Sequence, residues 1–288
     1  MTGGSVMHRV ALLGAGVMGV GIATLAVGYG LPVVLVEPDE AKLAGVNTRI
    51  GYHARSAKLL GALPEERMAG ELVTGTSLAA IADCTVIIEA VTELPDAKAK
   101  ALNAAAATAP PGTPLITNTS SIPVGELASA LADPRSLIGV HFMNPPYLIK
   151  QVEVSRGPHT SDETLRVVTL LLAELGRQAI IVGDRPGFVT SRLLHPMIND
   201  AARIVGEGTA TAADVDRLLQ GCLGHPAGPL RTADLIGLDN LVDSLNVLYQ
   251  RTGNEACRPC QVLLDKVQAG NLGRKTGHGF YAYTEASA

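Results

Sequence analysis

Arg9-Val-Ala-Leu-Leu-Gly14-Ala-Gly16-Val17-Met18-Gly19 is a short apolar run that ends in a G-x-G-x-x-G loop. The run reads as a buried strand, and the residues from Val17 to about Gly30 read as a helix. Pro32-Val-Val-Leu-Val-Glu37 reads as the next strand, so strand, glycine loop, helix and strand form a parallel βαβ unit. In that setting Gly14 permits the tight turn, Gly16 lets the backbone approach a pyrophosphate, and Gly19 lets helix and strand pack closely. The helix N-terminus offers amide N–H groups to the phosphates. Glu37 closes the second strand roughly 20 residues beyond the loop, where a carboxylate accepts from an adenosine ribose and repels a 2'-phosphate. The expected cofactor is therefore NAD rather than NADP, held by Gly14, Gly16, Val17, Met18, Gly19 and Glu37.

Working outward, strands are predicted at Thr85–Glu89, Pro114–Asn118, Leu137–Phe142, Gln151–Ser155 and Gln178–Val182, with an Ala-rich helix over Pro95–Ala109. This alternation predicts an α/β fold, a Rossmann-type doubly wound parallel sheet. After the turn Gly183-Asp-Arg-Pro-Gly187 the pattern changes to helices, predicted at Val189–Glu207, Thr211–Gln220, Leu230–Tyr249 and Arg258–Ala269. The expected organisation is a NAD-binding domain over 1–184 and an all-helical domain over 185–288.

Composition sets outer bounds. With 47% hydrophobic and 17% charged residues among 288, the chain can bury a sizeable core and is not disordered. A formal charge of -4 with no basic run argues against nucleic acid, and 3% aromatics with no Trp leave nothing to stack bases. Four cysteines do not make a disulfide framework, and Cys257-Arg-Pro-Cys260 reads as two ordinary thiols. No apolar run is long enough for a membrane span, and the N-terminus lacks signal architecture, so a cytoplasmic protein in a reducing compartment is expected. The histidines at 53, 159, 195, 225 and 278 read as surface or capping groups, and no metal site is expected.

Seven stretches stand out along the chain: Gly14-Ala-Gly-Val-Met-Gly19-Val-Gly-Ile-Ala23, Ile88-Glu-Ala-Val-Thr-Glu93, Asn118-Thr-Ser-Ser-Ile122, His141-Phe-Met-Asn-Pro145, Pro186-Gly-Phe188, Asp234-Leu-Ile-Gly-Leu-Asp239 and Gly273-Arg-Lys-Thr-Gly-His-Gly-Phe-Tyr281. In these stretches, which occur in family order along nearly the whole chain, it resembles the L-3-hydroxyacyl-CoA dehydrogenases, above all the short bacterial 3-hydroxybutyryl-CoA dehydrogenases. The implied activity is NAD-dependent interconversion of a short 3-hydroxyacyl thioester and its 3-oxoacyl form.

The residues themselves support that chemistry. Oxidising a secondary alcohol needs a base for the hydroxyl proton while NAD takes the hydride, and an imidazole titrates in the right range. His141 ends a predicted strand and Glu153 lies in the next, so pairing of the two strands sets the carboxylate against the ring, where it orients and stabilises the imidazolium. The resemblance assigns the same roles to both. It also implies that Ser120 binds substrate near the nicotinamide, that Asn144 contacts the cofactor, that Glu93 and Lys98 contact the nicotinamide half, and that Lys275 reaches NAD from the C-terminal end. A homodimer through the helical domain is implied as well.

Two departures from the family stand out. Its P-G-F-x-x-N-R-L reads Pro186-Gly-Phe-Val-Thr-Ser191-Arg-Leu193 here, replacing a substrate-binding amide by a hydroxyl. The family's helical hairpin after the second strand carries lysines for the CoA phosphates, often as Lys-Lys-Gly-Lys-Leu; this chain has Leu59-Leu-Gly-Ala-Leu63, with Arg55 and Lys58 as the nearby cations. Each lost phosphate contact is worth about 1 kcal/mol. An apolar patch there suits a protein surface, which keeps open an acyl carrier protein as the bearer of the acyl group; relatives in polyketide gene clusters act on carrier-bound small acyl groups, as the resemblance permits. Dehydrogenation of a free hydroxy acid and a non-catalytic NAD-binding role are the competing functions.

Overall fold

The computed structural model describes residues 8–283. It divides into two compact units, Met1–Arg185 and Pro186–Ala288.

The first unit is built on β1 (Val10–Leu13), α1 (Val17–Gly28), β2 (Val33–Val36), α2 (Glu40–Leu43), α3 (Val46–Leu59), β3 (Leu72–Gly75), β4 (Val86–Glu89), α4 (Pro95–Thr108), β5 (Leu115–Thr117), α5 (Val124–Ala128), β6 (Leu137–His141), β7 (Gln151–Arg156), α6 (Asp162–Glu174) and β8 (Gln178–Gly183). The eight strands form one sheet in the order β3-β2-β1-β4-β5-β6-β7-β8. Its first six strands run parallel, β7 is antiparallel to β6, and β8 is parallel to β7. The fold is thus a Rossmann-type sheet, and its order reverses between β1 and β4, the switch point at whose carboxyl end open α/β sheets bind their ligands.

The central strands β1, β2, β4 and β5 are buried at every position, which explains their unbroken apolar runs. From Gly19 onward α1 is buried all round, against the sheet on one side and α3 on the other. Three features differ from the expectation from sequence. The edge strand β3 is half-buried throughout, so its Leu-Val-Thr-Gly carries too little apolar signal to be read. The sheet is not wholly parallel: the turn 142–150 is too short for a crossover, so β7 must return antiparallel to β6. And where the resemblance implies a helical hairpin, the short α2 and the longer α3 follow β2, and an irregular stretch over 60–71 leads to β3.

The second unit is helical: α7 (Thr190–Gly206), α8 (Ala212–Leu223), α9 (Pro229–Ile236), α10 (Leu238–Thr252) and α11 (Gln261–Gln268). Ile198, Leu230, Leu238, Leu241, Leu245, Leu248 and Leu263 anchor a core of its own. The single helix expected over Leu230–Tyr249 is broken at Gly237, whose φ of 94° cannot continue a helix. Helix α11 starts at Gln261 rather than Arg258, because Arg258 and Cys260 are extended and Cys260 caps the helix. Among the described residues no helix is long and apolar enough to cross a membrane, and no cluster of His, Cys, Asp or Glu is arranged to hold a metal. All four cysteines are free thiols.

Candidate active site

The glycine loop is shaped by what cannot fit into it. At Gly14, with φ of 104°, a Cβ would lie 2.7 Å from the Ala90 carbonyl oxygen; at Gly19 it would lie 2.0 Å from that of Gly14. At Gly16 a Cβ would meet nothing within 4 Å. Gly16 and Val17 (58% exposed) form an open lip on a helix otherwise buried. This is the concavity a pyrophosphate needs over a helix N-terminus. Glu37 lies beside it: its carboxylate accepts from the Ala15 amide at 3.1 Å and from the Asp39 amide at 3.1 Å, which fixes an acidic group at the end of β2. Open lip, helix terminus and ribose-accepting carboxylate together fit NAD.

The carboxyl ends of β4 and β5 carry a second cluster. Lys98, on α4, is 1% exposed, and its Nζ donates to Glu89 at 2.7 Å and to the Val91 carbonyl at 3.3 Å, and pairs with Glu93 at 3.1 Å. Glu89 is completed by Thr117 Oγ1 at 2.7 Å and the Val91 amide at 2.8 Å. Glu93 in turn gathers the loop after β5, accepting from Thr119 Oγ1 at 2.5 Å, from the amides of Ser120 and Ser121 at 2.9 and 3.0 Å, and from Ser121 Oγ at 3.0 Å. Burial by itself would raise the Glu93 pKa, but the charge of Lys98 and these hydrogen bonds overcome it and hold the group down at about 2. Burial likewise works against the charge on Lys98, and the two carboxylates outweigh it, so its pKa is raised.

The ammonium has three protons and three oxygens around it, all from the protein. Lys98 thus joins Glu89, Glu93 and the Val91 carbonyl in one network at the carboxyl ends of β4 and β5, beside the loop that carries Ser120. Glu89 went unread in the sequence, because a carboxylate ending an apolar strand carries no signal until its lysine is placed beside it.

His141 and Glu153 sit directly opposite each other in the β6–β7 ladder. The ring Nδ1 lies 2.8 Å from Glu153 Oε2, and since a carboxylate only accepts, Nδ1 carries the proton. In the neutral ring Nε2 then holds the lone pair. The strand ends are fastened by Asn118, whose Oδ1 accepts from the Phe142 amide at 3.0 Å. The turn carrying Asn144 is held by Arg177, which donates to the carbonyls of Pro146 and Ile149 at 2.9 and 2.8 Å, and by Tyr147, whose hydroxyl meets His53 Nδ1 at 3.1 Å. His53 is thus half-buried and engaged, not a surface or capping group; burial, then the charge of Arg49, lowers its pKa. His195 is also corrected from surface to interior: it is buried in the helical unit, with Nδ1 2.8 Å from Ser244 Oγ.

The remaining expected residues fall into three places. In the helical unit, Ser191 is buried in the first turn of α7 and Lys275 pairs with Asp239 at 2.5 Å. Arg55 and Lys58 lie on the last two turns of α3, where Leu59 and Leu60 are 89% and 70% exposed. Ser120 sits in the loop gathered by Glu93.

Two family models match the chain: one described as 3-hydroxyacyl-CoA dehydrogenase, NAD binding domain, over residues 9–185, and one described as the C-terminal domain of the same family over 187–283. The chain belongs to the 3-hydroxyacyl-CoA dehydrogenase family. It is 39% identical to a probable 3-hydroxybutyryl-CoA dehydrogenase of Deinococcus radiodurans over 96% of this chain and 100% of that one. Among solved structures, M. tuberculosis FadB2 matches with a TM-score of 0.89 at 35% identity, covering 96% of this chain and 99% of that one. The (S)-3-hydroxybutyryl-CoA dehydrogenase PaaH1 of Ralstonia eutropha matches with a TM-score of 0.82 at 35% identity, covering 97% and 100%. Membership in this NAD-dependent dehydrogenase family makes the chain an oxidoreductase with NAD as cofactor.

Proposed function

We propose that the protein oxidises a short 3-hydroxyacyl thioester to its 3-oxoacyl form, and reduces it in reverse, with His141 as base. The single observation that carries this reading is the His141–Glu153 pair: a buried carboxylate fixes the imidazole with its proton on Nδ1 and its lone pair on Nε2. NAD, bound at the glycine loop, supplies the hydride acceptor. Nε2 takes the hydroxyl proton as the C3–H bond gives up its hydride, and Glu153 stabilises the resulting imidazolium. Ser120 donates to the substrate oxygen and can do so for alcohol or ketone, since a hydroxyl both donates and accepts. Glu93, Lys98 and Asn144 contact the nicotinamide side, and the helical unit, which carries Ser191 and Lys275, pairs with a second copy of the chain. The exposed Leu193, Leu218 and Leu223 support that dimer.

The carrier is CoA on the strength of the relatives' names, with Arg55 and Lys58 meeting its phosphates. A second reading, an acyl carrier protein as bearer of the acyl group, is favoured by one observation: Leu59, Leu60 and Met68 stand exposed at the end of α3 and in the stretch after it. Such residues gain by being covered, at about 25 cal/mol for each Å² buried. Steady-state oxidation of one 3-hydroxybutyryl group on both carriers separates the readings. The first expects saturable turnover of the CoA ester, unchanged when Leu59 and Leu60 are replaced by serine. Turnover confined to the carrier protein and lost in that double variant would establish the second.

A further inference from the structure

Helix α5 begins four residues after Ser120 and lacks a cap of its own, because its N-cap residue, Pro123, has no side-chain acceptor. Its first two amides are nevertheless satisfied. Val124 N–H donates to Asp184 Oδ1 at 2.7 Å and Gly125 N–H to Oδ2 at 2.8 Å, across some sixty residues of sequence. A carboxylate there also faces the positive end of the helix. The same Asp184 Oδ1 accepts from Ser155 Oγ at 3.3 Å, and Ser155 lies two positions beyond Glu153 on β7. Gly125 leaves room for the approach: a Cβ on it would stand 2.9 Å from Pro158 Cδ and 3.2 Å from Asp184 Oδ2.

The loop between β5 and α5 is therefore fastened by a carboxylate at each end: Glu93 grips the amides of Ser120 and Ser121, and Asp184 grips those of Val124 and Gly125. We propose that Asp184 is a positioning residue for Ser120, holding the far end of its loop and tying it to the strand that carries Glu153. This inference rests on the substrate role proposed for Ser120. It reaches no further than the loop: the glycine lip and Glu37 make no contact with Asp184, so cofactor binding is expected to be independent of it.

The test compares Asp184→Ala, Asp184→Asn and, as a control that removes an unrelated cap, Ser161→Ala, which takes away the acceptor of the Thr164 amide on α6. Steady-state constants for thioester and NAD are measured together with backbone amide exchange over 118–128. Asp184→Ala is expected to speed exchange in that segment and to lower kcat/KM for the thioester roughly ten-fold, as small misplacements of a substrate-binding group do. KM for NAD should stay put, the asparagine variant should lie between alanine and wild type, and the control should change neither exchange nor kinetics in the segment. Unaltered exchange over 118–128, or an equal rise in both KM values, would overturn the proposal. Should the alanine variant not fold, Asp184→Asn decides by the same readouts with a smaller loss. Inactivity of the wild type toward thioesters would defeat the substrate reading, and exchange would still decide for or against the hold of Asp184 on the loop.

Discussion

Replacing His141 by glutamine is expected to lower kcat for 3-hydroxyacyl thioester oxidation by about 10²- to 10⁴-fold, the range a positioned general base contributes. Glutamine keeps much of the shape and can still donate to Glu153, but it has no basic nitrogen to receive the substrate proton. Because the ring sits across the sheet from Glu37 and the glycine lip, NAD affinity should hold at the wild-type value, measured by titration of NADH fluorescence. Glu153→Gln should also slow the reaction, since the amide no longer fixes the proton on Nδ1 and no longer stabilises the imidazolium. An unaffected rate in His141→Gln would take the residue out of the mechanism.

The second large effect is on stability. Lys98→Met leaves Glu89, fully buried, and Glu93 without their shared cation, and removing one partner of a buried pair costs about 3–5 kcal/mol. Urea unfolding at neutral pH should show that loss, and Glu89→Gln added to Lys98→Met should recover part of it by removing an uncompensated charge. The same network gives the wild type a pH dependence of known sign. The Glu93 pKa is depressed from 4.5 to about 2, so its contribution is fully present above pH 4.5 and is lost as pH falls toward 2. A loss below about 1 kcal/mol in the lysine variant would mean the pair is worth no more than a surface ion pair.

Much of this arrangement can be read in the linear chain, and the reason is local. The glycine loop, its strand and its helix lie within twenty residues, so the spacing of Gly14, Gly16 and Gly19 already states the constraint that the close approach of Ala90 and Gly14 oxygens later makes concrete. His141 and Glu153 are separated by one turn, and strand pairing across a turn follows from chain connectivity. What escapes is long-range or weakly patterned. Asp184 caps a helix sixty residues earlier, and nothing in Gly183-Asp-Arg-Pro marks the amides it serves. Glu89 and His195 are polar residues buried by partners that only the fold supplies, Lys98 and Ser244. The edge strand β3 and the break at Gly237 are missed because half-buried strands and single glycines weaken a periodicity without reversing it.

The segment after β2 bears on the choice of carrier. One helix, α3, ends in exposed leucines and passes into the irregular stretch over 60–71, so Arg55 and Lys58 are the cations of its last two turns. In the proposed reading the carrier meets this short surface and the redox chemistry falls to His141 and Glu153 on β6 and β7, so the two can be tested apart.

The proposed reaction is hydride transfer from C3 of the acyl group to NAD with His141 taking the proton. Single-turnover reaction of 3-deuterio-3-hydroxybutyryl-CoA with NAD, followed by mass analysis of the nucleotide, tests it most directly. Deuterium is expected in the NADH formed by wild type, and almost none over the same interval in His141→Gln. Unlabelled NADH, or labelled NADH formed equally fast by the variant, would contradict it.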